Sequence, residues 1–273
     1  MTHSSHHTAG ATKNAVLDLL AGHDGWVSGE LLSAHLCVSR AAVAKHVNAL
    51  RRDGHVIEAA PRRGYRLAVR AEPLRPETVR PFLRTAVLGH GEWRCLGETS
   101  STNTVALAWA AEGAAQGGIV VADAQTRGRG RKGGVWHSAP RSLFCSVILR
   151  PDCAPAALDG LTLLTTEATA EAVTRRTGLK AVVKAPNDVF LGGKKCCGIL
   201  VESGLRAGDV DWVIAGVGCN LNALAEELPE GDGYGVTSLL AETGAPVAPA
   251  AFFAELLLCL EERWAQAGFL VLS

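Results

Sequence analysis

The chain has 273 residues, 48% hydrophobic and 20% charged, a balance that suits folded cores and excludes a disordered chain. Its 27 basic and 27 acidic side chains cancel, so contact with nucleic acid must come from a local patch. No apolar run approaches the roughly 20 residues of a membrane helix, and MTHSSHHTAG lacks the apolar stretch of a secretory signal.

The length allows one to three domains. Residues 1–11 read as a disordered polar tail. Eight cysteines are scattered without a CxxC pair, and the adjacent Cys196 and Cys197 cannot form a zinc knuckle alone. Free thiols in a reducing cytoplasm fit them, and no protein metal site is read.

Residues 12–68 form the first unit. Ala15, Val16, Leu19 and Leu20 share a helical face that ends at Gly22. Ser28 caps a second helix with Leu31, Leu32 and Leu36 on its apolar side, and Cys37-Val38 makes a brief turn. Ser39 caps a third helix, 40–53, whose Val43, Val47 and Leu50 face inward. Residues 55–60 and 65–68 then pair around the basic turn Pro61-Arg62-Arg63-Gly64. Two helices across a tight turn followed by a basic hairpin make a winged helix-turn-helix. Its third helix would enter a DNA major groove with Ser39, Arg40, Lys45, His46 and Asn48, and Arg62 and Arg63 of the wing would reach phosphate. A protein-interaction module with a solvated polar face is the alternative.

Residues 69–84 hold three prolines and suit a linker with a short helix. From residue 85 onward, strand-like runs at 93–97, 119–122, 143–149, 181–183, 195–202 and 213–218 alternate only partly with helical stretches. Those helices are expected at 156–177, 236–242 and 249–268. The pattern is α+β with a mixed sheet, not a doubly wound fold.

Two stretches carry chemistry. Thr99 to Thr104 is rich in hydroxyls beyond the needs of one helix cap, which favours ligand hydrogen bonds. Gln125–Ser138, QTRGRGRKGGVWHS, crowds three Arg and one Lys among four Gly with a single Trp. Cations so close repel one another unless an anion lies among them. Guanidinium forks suit phosphate or carboxylate, glycine permits close backbone approach, and Trp136 offers a flat face for a ring. A clamp for a phosphorylated, ring-bearing ligand is the natural expectation, and a solvated basic loop the plain alternative. The GVGCN run from Gly216 lacks the third glycine of a dinucleotide fingerprint and carries little alone.

Together these runs resemble the bifunctional biotin–protein ligase/biotin repressors. SRAAV-KHV--LR--G--I---P-RGYRL is characteristic of their N-terminal domain, and residues 39–67 match it. Over nearly all of 90–270 the family's separated motifs recur in order: SSTN, QTRGRGR-G--W, K-PNDV followed by KK--GIL-E, and GVGCNLN. The resemblance implies ATP-dependent activation of biotin to biotinyl-5'-AMP and its transfer to a lysine of a biotin carboxyl carrier domain. Biotin-responsive repression at operator DNA and a ligand-promoted homodimer would accompany it.

On that resemblance Ser101, Thr102, Asn103 and Gln125 hydrogen-bond the biotin head group, and Lys195 lies near its carboxylate. Gly128, Arg129, Gly130 and Arg131 close over biotin and its adenylate, with Arg131 also on the nucleotide. Trp136 stacks on adenine, Lys184 and Asn187 serve the ATP side, and Asn220 lies near the ribose. Arg129, Arg131, Lys184 and Lys195 would be the catalytic counter-charges, with Mg²⁺ on the phosphates.

The sequence departs from the family in three places. Ala185 stands where a Trp is usual between the Lys and Pro of the K-W-P-N-D motif. Such a loss is expected to loosen the biotin pocket by about 1–3 kcal/mol. Lys132-Gly133-Gly134 stands where relatives often carry another Arg. Family members also normally continue with a small β-barrel of about 50 residues, a domain that the sequence is expected to lack. These departures keep open a biotin-sensing DNA-binding regulator with weak or no ligase activity. A lipoate-type ligase, which shares the catalytic fold, fits the winged helix and the basic loop less well.

Overall fold

The computed structural model describes residues 4–71, 73–231 and 233–272. The chain divides into two compact units, residues 1–71 and 72–273.

The first unit contains α1 (Ser4–Ala21), α2 (Gly29–Leu36), α3 (Arg40–Arg52) and the antiparallel hairpin of β1 (Val56–Ala60) and β2 (Gly64–Val69). Residues 4–11, expected as a tail, instead continue α1 upstream, because no proline interrupts a run that includes Ala9 and Ala11. Residues 1–3 of that expected tail lie outside the described residues. Ser28 and Ser39 cap α2 and α3, their hydroxyls accepting from Leu31 N at 3.0 Å and Ala42 N at 3.1 Å. Val16, Leu20, Leu32, Val43, Val47, Leu50 and Ile57 close one core. Val27 and Tyr65 exchange backbone hydrogen bonds of 2.7 and 2.9 Å beside the hairpin. Gly64 makes that approach possible: its φ is +97°, and a Cβ there would stand 2.1 Å from the Val27 carbonyl oxygen.

The second unit begins with α4 (Pro76–Val79) and is built on a seven-stranded sheet. Its strands are β3 (Trp93–Thr99), β4 (Ile119–Gln125), β5 (Leu143–Leu149), β6 (Val182–Lys184), β7 (Asp188–Leu191), β8 (Lys194–Arg206) and β9 (Asp209–Cys219). Their order is β3-β4-β5-β9-β8-β7-β6, with β3 and β4 parallel and the other neighbours antiparallel, so the sheet is mixed and the unit α+β. Between the strands lie α5 (Thr102–Ala111) and α6 (Leu161–Thr177), followed by α7 (Leu239–Thr243) and α8 (Pro249–Gln266).

Two of these helices start later than the sequence suggests. Pro155–Gly160 forms a 3-10 turn ahead of α6, because proline and glycine at its ends interrupt a regular start. At α7, Ser238 is the N-cap and accepts from Ala241 N at 3.0 Å, whereas Val236 pairs as a bridge with Lys195.

All seven residues of β5 are buried, because both faces of the sheet are covered. Leu143, Cys145, Val147, Ile199, Val213, Ala215 and Val217 lie in the larger core with Phe252, Leu256 and Trp264 of α8. On the other face Ile148 and Ile214 pack with Ala106 and Trp109 of α5. Period-two alternation therefore assigns Ser146, Gly198, Leu200, Glu202, Gly216 and Gly218 to this second face, beside α5. Among the described residues no helix is long and apolar enough to cross a membrane.

Candidate active site

A cleft of about 80 Å³ opens on this second face, beside the N-terminus of α5. Ser101, Thr102, Asn103, Gln125, Arg129, Gly130, Arg131, Trp136, Asn187 and Lys195 line it together with the sheet glycines Gly198, Gly216 and Gly218. Residues separated by up to 117 positions, from Ser101 to Gly218, are thus gathered at one place.

Its polar end is a hydrogen-bonded chain. Gln125, at the end of β4, accepts from Thr102 N at 2.8 Å through Oε1. Ser146 Oγ donates to Asn103 Oδ1 at 2.6 Å and lies 2.8 Å from Thr102 Oγ1. The Asn103 amide donates to Leu200 O at 3.2 Å and to Glu202 Oε2 at 2.9 Å. Ser101, Thr102, Asn103 and Ser146 are buried. Buried polar groups need partners, so their orientations are set before any ligand arrives. Sequence reading gives Ser146 no role and takes Glu202 only as the last residue of KK--GIL-E. A lone Ser inside the apolar run 143–149 was the available signal for one, and a carboxylate ending an apolar strand run the signal for the other.

The basic loop folds into a small hairpin. Gly130 N donates to Gly134 O at 2.7 Å, Gly134 N to Arg131 O at 2.9 Å and Trp136 N to Gly128 O at 3.0 Å. A Cβ on Gly128 would stand 2.5 Å from the Trp136 carbonyl oxygen, so this residue must be small. Arg129 forms a two-pronged pair with Glu202, at 3.1 and 2.7 Å, and Arg131 reaches Asn187 Oδ1 at 3.4 Å. Gly134, at the position where relatives often carry an arginine, contributes backbone to this turn.

Trp136, expected over adenine, lies across a floor of glycine. Cβ atoms on Gly198 and Gly218 would stand 2.7 and 2.6 Å from its ring. Its indole Nε1 is buried without a hydrogen-bond partner. Lys195 pairs with Asp188 at 2.6 Å and holds its ammonium 5.6 Å from the Trp136 ring centre. Beneath the cleft floor, in the larger core, the Cys145 thiol is pushed up to about 12 by burial. Burial likewise raises the neighbouring Cys197 and Cys219. Such thiols stay protonated and are poor nucleophiles.

Three expected contributors, Gly128, Lys184 and Asn220, do not line the cleft. The Lys184 ammonium sits 3.1 Å from the Tyr234 ring centre, where cation–π attraction holds it at the surface. Asn220 is buried after β9 and donates to Thr237 O at 3.0 Å, tying β9 to the segment before α7. Its Oδ1 has no hydrogen-bond partner. Ala185 is exposed and does not line the cleft.

In the first unit, Ser39, Arg40, Lys45 and Asn48 are exposed along one side of α3, and His46 is partly exposed. Asn48 Oδ1 accepts from Arg51 at 3.3 Å. Arg62 is exposed at the wing tip with φ +64°, and Arg63 stacks 4.7 Å from the Trp26 ring centre. A groove lined by Arg40, Ala41, Pro61, Arg62 and Tyr65 runs between the helix and the wing.

Comparison with known proteins accounts for both units. Residues 12–66 match the helix-turn-helix domain family, and residues 96–220 match the biotin/lipoate A/B protein ligase family. The chain is 37% identical to the bifunctional ligase/repressor BirA of Bacillus subtilis, over 89% of this chain and 75% of that protein. It is 34% identical to the Escherichia coli protein of the same name, over 71% of this chain and 59% of the relative. Among solved structures, it resembles a biotin protein ligase from Aquifex aeolicus in complex with biotin and ATP. That likeness has TM-score 0.54 and 29% identity, and covers 65% of this chain and 72% of that one. A biotin protein ligase from Leishmania major in complex with biotinyl-5-AMP is similar at TM-score 0.51 and 27% identity, over 62% and 72% of the two chains. A winged helix-turn-helix unit followed by a ligase-type sheet, matched along most of the chain, places this protein in the family of bifunctional biotin ligase/repressors.

Proposed function

We propose that the chain activates biotin with ATP and transfers it to a lysine of a biotin carboxyl carrier domain. The convergence of Ser101–Asn103 and Gln125 with Arg129, Arg131, Lys195 and Trp136 in one cleft carries this reading. The hydroxyl and amide groups suit a compact polar head group. The cations suit the other end, where a carboxylate meets a phosphate.

In the first step a biotin carboxylate oxygen attacks the α-phosphorus of ATP and pyrophosphate leaves, giving a mixed anhydride. Two anions must approach, and fixed guanidinium and ammonium groups offset their repulsion without reorganising during the reaction. In the second step a neutral lysine amine attacks the anhydride carbonyl, an amide forms and AMP departs. Trp136 and the hairpin over the cleft would keep water from the anhydride until then.

No three His, Cys, Asp or Glu side chains converge as a metal site among the described residues. Mg²⁺ would accordingly come with the ATP phosphates, which suits its preference for phosphate and water ligands. The first unit would bind operator DNA through α3 and Arg62, and an ordered loop would favour a homodimer. The eight free thiols fit the reducing cytoplasm.

Incubation with biotin and Mg-ATP should release pyrophosphate in a biotin-dependent manner and label an added carrier domain. Biotin binding without pyrophosphate release would instead establish a sensing regulator, and the absence of both binding and release would overturn the assignment.

A further inference from the structure

Glu202 has no role in the chemistry described so far, yet its position is unusual. It lies on the site face of β8 with Gly198 and Leu200, directly opposite Ile214 of β9. Ile214 is fully buried beneath α5, so an apolar residue would ordinarily occupy this neighbourhood. A carboxylate that gives up hydration there must be compensated.

Two groups supply that compensation. Arg129 of the basic loop grips both carboxylate oxygens, at 2.7 and 3.1 Å. The Asn103 amide donates to one of the same oxygens at 2.9 Å. Glu202 therefore touches, at once, the cation of the basic loop and a side chain of the polar pocket. Asn103 is in turn fixed by Ser146, and Gly216 lacks a Cβ where one would fall 2.0 Å from Asn103 Oδ1. A glutamine could keep one hydrogen bond but not the two-pronged ion pair.

We propose that Glu202 is a positioning residue that locks the basic loop to the ligand pocket, holding Arg129 and Asn103 in register so that the loop stays closed over the activated intermediate. This rests on the ligase reading above. The fixed negative charge also lets Arg129 remain close to Arg131 and Lys195 before an anionic ligand arrives. Loss of the lock should open the loop while leaving Gln125, Ser146 and the sheet unchanged.

The test uses the full chain and its E202Q and E202D variants. In E202Q, biotinyl-adenylate formed on the enzyme should escape at least about tenfold faster into solution, equivalent to about 1.4 kcal/mol. Trypsin should cut after Arg129 or Arg131 in the biotin-bound variant at a rate close to that of the ligand-free protein. The KM for biotin should rise more than kcat for adenylation falls, and E202D, which keeps the charge on a shorter stem, should recover part of the retention. R129Q combined with E202Q should lose no more than R129Q alone. Unchanged retention and loop protection in E202Q would overturn the proposal, as would tighter retention, which would make the ion pair a restraint on Arg129. If E202Q does not fold, R129Q carries the decision, because it breaks the same ion pair: full protection of its loop from trypsin after Arg131 in the biotin-bound state would overturn the proposal. Failure of the unaltered protein to bind biotin or form adenylate would instead strike the ligase reading.

Discussion

At the scale of single residues, the site depends on what is absent as much as on what is present. Gly198, Gly216 and Gly218 lie on the site face of β8 and β9, and each clears space for a side chain arriving from elsewhere. Gly216 is the most constrained, because Asn103 is held by Ser146 and Glu202 and cannot yield cheaply. Overpacking of this kind costs about 1–3 kcal/mol. Gly216→Ala should therefore weaken biotin binding by roughly tenfold to a hundredfold in calorimetric titration. Gly97→Ala, which meets nothing within 4 Å, should leave affinity unchanged. Equal affinities for the two variants would detach Asn103 from the pocket. The GVGCN run held this information in its spacing, since alternate glycines on a strand face one way. Nothing in the run names Asn103 or Trp136 as the groups accommodated.

At the scale of elements, the wing is tied to the helices by contacts that periodicity does not disclose. Arg51, on α3, donates to the Ile57 carbonyl of β1 at 2.6 and 2.9 Å, so this basic side chain braces the wing. His55, just before β1, accepts from Ala71 N at 2.9 Å through Nδ1 and is buried. Burial lowers its pKa from the ordinary 6.5, with Asp53 opposing the shift and Arg70 and Lys13 adding to it. The folded unit then binds fewer protons than the unfolded chain as pH falls. The contribution of His55 is complete above pH 6.5 and is lost as pH drops through that value toward the lower folded pKa. The urea midpoint of the first unit, followed by fluorine NMR at a labelled Trp26, should fall between pH 7.5 and 5.5. In His55→Gln the fall should be smaller, and an identical fall would remove His55 from the transition.

At the scale of the whole molecule, the two units have separate cores, one around Val43, Val47 and Leu50 and the other around the sheet and α8. Deleting residues 1–71 should abolish retention of operator DNA while adenylation stays within about twofold of the full chain. Binding by the full chain should also weaken steeply with salt if phosphate contacts dominate. Collapse of adenylation on deletion would show that the second unit needs the first.

The sequence by itself determined the two-unit order, the winged helix-turn-helix, the mixed sheet and most of the residues gathered in the cleft. Apolar period, serine caps and turn glycines are local signals, and the motifs are short runs whose chemistry travels with them. Only the tertiary structure decided which side chains meet. Lys184 rests on Tyr234, Asn220 serves the segment before α7, Trp136 lies on glycine, and Glu202 joins Arg129 to Asn103. These are pairings across strands and loops far apart in the chain. Their geometry follows from the packing of α5 and the basic loop against β8, which places residues 103, 129 and 202 together and leaves no trace in any one segment.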